Sequence, residues 1–180
     1  MAPLFLRSWI AVPLLALAAC GGLQPEPTAT PDFVIRDAAV VIQSDAAFTR
    51  SADFPARVES TLQAALGYWG GNWSHLSGTT IIFEGKSHVA CAGNDGSTGC
   101  YDGDIRLSTL DAGRTVSCVE ATVLVHEVGH AVIGDAGHAD PRWMDFNALA
   151  EVLVGRPGYD ASGTTSCDPV ANVWRHPPRG

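Results

Sequence analysis

The run Val119-Glu120-Ala121-Thr122-Val123-Leu124-Val125-His126-Glu127-Val128-Gly129-His130-Ala131-Val132-Ile133-Gly134 decides how the rest of the chain is read. Ser117 followed three residues later by Glu120 has the form of a capping box, so the sequence predicts a helix over Val119 to Val132, stopped at Gly134. From Ala121 to Val132 the residues outside the His126–His130 pattern are Thr122 and apolar side chains, which marks the helix as buried. The pattern itself, His126-Glu127-Val128-Gly129-His130, is an HExxH motif. At about 100° per residue, positions i and i+4 differ by roughly 40°, so both imidazoles leave one face of the helix and can reach one metal ion. Glu127 projects beside them, placed to take a proton from a water that the metal activates. Read as mere packing, the same three groups would bury ionisable side chains in an apolar helix with nothing to offset their desolvation.

Downstream the chain continues Asp135-Ala136-Gly137-His138-Ala139-Asp140-Pro141-Arg142-Trp143-Met144-Asp145. Taken with the helix, this resembles the metzincin metallopeptidases, above all the matrixin-like branch. There a Gly turns the chain out of the helix, a third His completes the zinc site, and a Met-containing turn lies beneath the metal. The resemblance implies His126, His130 and His138 as zinc ligands, Glu127 as catalytic base and Met144 as the Met-turn residue. It further implies a zincin-like fold, hydrolysis of peptide bonds in a protein or peptide substrate, and Gly103-Asp104-Ile105-Arg106-Leu107 as the edge strand lining the cleft. His138 follows His130 by eight residues, where the family pattern has six. Counted from Gly137, the family spacing lands on Asp140, which is therefore an alternative third ligand. A gluzincin-type arrangement would instead use Glu151, 21 residues after His130. A different class of function is a non-catalytic zinc lipoprotein that binds an envelope partner, and it would need a fourth protein ligand in place of an open position.

Working outward, Ala39-Val40-Val41-Ile42 and Thr79-Thr80-Ile81-Ile82-Phe83 are short β-branched runs and read as strands. Between them, after Pro55, Val58, Leu62, Ala65, Leu66 and Trp69 fall on one helical face that Gly70-Gly71 ends. Asp104 to Ser108 alternates strictly and reads as a half-buried strand near a sheet edge. A short helix is expected over Asn147 to Val154. The class this predicts is α+β: a mixed, twisted sheet, a backing helix, the HExxH helix and a short C-terminal subdomain after Gly134. Trp69, Trp73, Trp143 and Trp174 read as core and cleft packing, and His75, His88 and His176 as surface residues.

The N-terminus reads as a processing segment. Arg7 precedes an apolar run from Trp9 to Ala19, and Leu17-Ala18-Ala19-Cys20 resembles the bacterial lipobox. The expected organisation is a cleaved signal peptide at 1–19, lipidated Cys20 with a Pro-rich tether at 20–31, and the domain at 32–180. Gly21 rather than Asp follows Cys20, which in a Gram-negative cell resembles an outer-membrane sorting signal, with the domain facing periplasm or exterior. Membrane attachment is then by the lipid alone, and the domain is expected to be a monomer. Cys91, Cys100, Cys118 and Cys167 remain, an even number suited to an oxidising compartment, and the pairs expected are Cys91–Cys100 and Cys118–Cys167. Asn94, Asp95, Gly96, Asp102 and Asp104 raise a structural Ca²⁺ besides the catalytic Zn²⁺, although a polar disulfide loop accounts for them without one. Eleven Lys and Arg stand against nineteen Asp and Glu, and the basic residues are scattered singly, which argues against a nucleic-acid partner.

Overall fold

Alternation of β-branched and aromatic residues builds the sheet. The computed structural model describes residues 29–91, 94–110, 119–135, 137–154, 156 and 173–174. Among them β1 (Phe33–Ile35), β2 (Ala38–Gln43), β3 (Thr80–Glu84), β6 (Gly99–Tyr101) and β7 (Ile105–Ser108) form one five-stranded sheet in the order β1-β2-β3-β7-β6. The pairs β2–β3 and β3–β7 are parallel and the two outer pairs antiparallel, so the sheet is mixed. Register aligns Val40, Ile81 and Ile105 in one row and Ile42, Phe83 and Leu107 in the next, so the face they share is apolar. Between β3 and β6 in chain order comes a separate small hairpin, β4 (Val89–Cys91) with β5 (Asn94–Ser97).

Helix α1 (Phe54–Trp69) carries β2 over to β3. Pro55 opens it where a missing N–H costs nothing, and Gly70 closes it at φ 78, a left-handed conformation that a Cβ would oppose. Its apolar stripe, Val58, Leu62, Ala65, Leu66 and Trp69, joins Val40, Ile81, Phe83, Ile105 and Leu107 in one core. Phe54 anchors that core with edge-on contacts to Phe33, Phe48 and Phe83. Complete burial of each such side chain stabilises the fold by about 1.5–3 kcal/mol.

Helix α2 (Ala121–Ile133) packs on α1 and adds Leu124, Val125 and Val128 to the core. The buried Trp69 indole N–H donates to the Val125 carbonyl at 2.7 Å, fixing one helix along the other. The chain leaves α2 at Gly134, with φ 69, and runs through a 3₁₀ turn at Pro141–Met144 into α3 (Phe146–Glu151).

Three expectations change. The HExxH helix begins at Ala121, because Val119–Glu120, labelled β8, pairs antiparallel with β9 (Val173–Trp174); Glu120 thus belongs to a strand, and Ser117 lies outside the described residues. The strand expected at an edge is β7, which is interior with β3 and β6 on its two sides. Its alternation records a half-exposed outer face, where Arg106 pairs with Asp102 at 3.2 Å. The C-terminal helix ends at Glu151, and residues 152–154 form a turn. Cys91 and Cys100 are disulfide-bonded as expected, tying β4 to β6. Cys20, Cys118, Cys167 and His176 lie outside the described residues.

Candidate metal centre

One helical turn separates His126 from His130, and their rings stand 5.0 Å apart on the same face of α2. The third histidine arrives from the loop. His138 Nε2 lies 3.1 Å from His126 Nε2 and 3.2 Å from His130 Nε2. Ligands at about 2.0–2.1 Å from a tetrahedral zinc sit roughly 3.3 Å from one another, so the two pairs that His138 makes already have that spacing, and the three ligand atoms all lie within 4.8 Å of one another. Among the described residues the group able to hold a metal ion consists of these three histidines and no carboxylate.

Protonation agrees with that use. His130 Nδ1 is 2.9 Å from the Asp135 main-chain carbonyl, which can only accept, so Nδ1 carries the proton and Nε2 presents its lone pair. Burial, reinforced by the neighbouring His130 and His138, pushes the His126 pKa down to about 4, keeping that imidazole neutral at neutral pH. Burial likewise lowers His130. The His126 Nδ1 is buried and has no hydrogen-bond partner among the described residues.

Glu127 is 6% exposed and faces the edge strand β6. A Cβ on Gly99 would fall 2.6 Å from Glu127 Oε1 and 2.3 Å from Val123 Cγ1, so only glycine allows the strand to pass this close to the helix. Burial pushes the Glu127 carboxyl up to about 8, near neutrality, where one group can both accept and return a proton. The triad, Glu127, Gly99 and Tyr101 line a cleft of about 390 Å³. A second hollow of about 350 Å³ shares His126 and Glu127 and continues past Thr122 and Val123.

Beneath the triad lies Trp143, 1% exposed, with its ring centroid 4.8 Å from His126, 4.4 Å from His130 and 4.9 Å from His138. Trp69 stacks behind it at 4.4 Å, and the Arg142 guanidinium lies 5.0 Å over the Trp69 ring. Gly129 makes the arrangement possible, since a Cβ there would sit 2.6 Å from both Trp143 Cη2 and Trp69 Cε2. Met144 lies in the adjoining turn, one residue after Trp143.

The other candidate ligands are placed elsewhere. Asp140 caps the 3₁₀ turn through the Arg142 N–H at 2.9 Å and binds the Arg142 side chain at 2.7 and 3.0 Å, which holds its carboxyl down at about 2. Glu151 is exposed at the end of α3. Asp104 accepts the Thr80 N–H at 2.8 Å and Asp102 pairs with Arg106, so two of the three carboxylates in the suggested Ca²⁺ group have protein partners. His75 completes the cap of the Trp73–Leu76 turn with Asn72. Asp135 went unnoticed in the sequence, although an Asp flanked by Gly134 and Gly137 is a turn signal. Comparison with models of known protein families, with curated proteins and with solved structures found no match for this chain.

Proposed function

We propose that the chain is a zinc-dependent metalloendopeptidase of metzincin type, carried on the cell envelope by a lipid at Cys20. The observation that carries the reading is the convergence of three imidazole nitrogens beside a buried carboxyl at the wall of an open cleft. Zinc, when bound, supplies Lewis acidity and lowers the pKa of water toward about 7. His126, His130 and His138 would hold it. Glu127 accepts the proton of the attacking water and passes it to the leaving amine, so water is consumed and one new carboxyl and one new amine result. An extended peptide has room to lie beside the triad, because the two hollows share Ser97, Gly99, His126 and Glu127 in their lining.

Three ligands with an adjacent base favour catalysis over a closed structural site. The exposed position of Glu151 favours His138 over a gluzincin-type ligand set. The test is elemental analysis of the purified full chain with a casein cleavage assay, with and without chelator, beside Glu127→Gln. One zinc per chain is expected, with chelator-sensitive cleavage that Glu127→Gln abolishes while retaining zinc. Cleavage that persists in Glu127→Gln refutes the mechanism, and a chain that takes up no zinc refutes the assignment.

A further inference from the structure

We infer that Asp135 is the positioning residue of the metal centre, its carboxylate fixing the backbone that presents His138; the inference rests on the three-histidine reading of the site. His138 has φ 54, a left-handed conformation that costs any residue bearing a Cβ. The amides on its two sides are both held by Asp135: Oδ1 accepts the Gly137 N–H at 2.8 Å and Oδ2 accepts the Ala139 N–H at 2.6 Å. Oδ2 also receives the Asp140 N–H and the Trp143 indole N–H, each at 3.3 Å. A carboxylate is suited to this, since several N–H groups can converge on its two oxygens and its charge strengthens each bond.

The main chain of Asp135 acts on the neighbouring ligand as well, through the carbonyl that orients His130. His126 and His130 are set by the helix, and His138 has no helix to set it. A loop histidine left to sample the ordinary right-handed and extended regions would meet the other two only rarely. The Asp135 side chain therefore acts on metal affinity through His138, without itself touching the ion.

The test is zinc affinity of the full chain, by competition with a chelator of known affinity, for Asp135→Ala, Asp135→Asn, His138→Ala and the Asp135→Ala/His138→Ala pair. Asp135→Ala is expected to bind zinc about 10- to 100-fold more weakly, as loss of a ligand's supporting partner does. Asp135→Asn, which keeps one accepting oxygen, is expected to fall between it and wild type. The double variant should match His138→Ala within about twofold, because a residue acting through His138 has nothing left to act on. In chelator-treated protein, the Gly137 and Ala139 amides should exchange slowly in wild type and rapidly in Asp135→Ala, while the amides of α2 keep their protection. Asp135→Ala binding zinc as wild type does, or losses that add to those of His138→Ala, overturns the inference. A wild-type chain that binds no zinc overturns the metal reading instead; the clamp is then judged by amide exchange alone, and rapid exchange of Gly137 and Ala139 in wild type overturns it.

Discussion

Replacing Glu127 by Gln in the metal-free protein removes a charge that the fold resists. The carboxyl pKa is about 8 in the folded chain, against an ordinary 4.5, with burial as the cause. A raised folded pKa means that the protonated form is the one stabilised; that stability is fully present below pH 4.5 and is lost as pH rises through 8. Between pH 4.5 and 7 the loss amounts to about 3 kcal/mol, and it approaches about 5 kcal/mol above pH 8. Gln keeps the shape and cannot ionise, so it is free of this loss. The His126 contribution has the opposite sign, its depressed pKa costing stability as pH falls from 6.5 toward 4, but it is common to both proteins and cancels in their difference. Urea denaturation of the chelator-treated full chain and its Glu127→Gln variant, at pH 4, 7 and 9, reads the effect directly. The two should coincide at pH 4, and the variant should be more stable by about 3 kcal/mol at pH 7. Equal stability of the two at pH 7 and 9 refutes the reasoning, since Glu127 would then ionise at no cost and lack the basicity required of it.

His138→Ala should weaken zinc binding sharply, as measured by equilibrium dialysis, with His126 and His130 retaining a measurable affinity, whereas Glu151→Ala should leave it unchanged; Asp140→Ala should cost roughly 1 kcal/mol of stability as a lost cap and retain zinc. Gly129→Ala gains about 1 kcal/mol of helix propensity yet drives a methyl into two buried indoles, so a net loss of about 1–2 kcal/mol in denaturant unfolding is expected. Reduction of the Cys91–Cys100 bond should lower stability by roughly 2.7 kcal/mol on the chain-entropy account of a loop closed by nine residues of separation. An unchanged denaturation midpoint under reductant would count against that account.

What could be read in the sequence was whatever a local period records. Val40, Ile81 and Phe83 declared β2 and β3, and the stripe from Val58 to Trp69 with Pro55 and Gly70 at its ends declared α1 almost to the residue. His126 and His130 were legible because four residues return a helix to the same face. Strands β1, β4, β5 and β6 were not, being three or four residues each, too short to show alternation and, in β5 and β6, containing glycine. Val119–Glu120 looked like a helix start because its partner, Val173–Trp174, is far along the chain. Of the site, the candidate ligands His126 and His130 carried a motif, whereas the contacts of Asp135 and Trp143 are packing and hydrogen bonds that become visible only when the loop is folded back.

The indole beneath the histidines has an optical consequence. Trp143 lies within 4.9 Å, centroid to centroid, of all three imidazoles and 4.4 Å from Trp69. Excitation on either ring of that pair passes readily to the other and from there to any acceptor held by the triad. Zn²⁺, with a filled d shell, offers no acceptor state and leaves the emission in place, whereas Cu²⁺ extinguishes it. The pair that lies behind the three histidines would therefore also signal, as emitted light, which ion was bound to them.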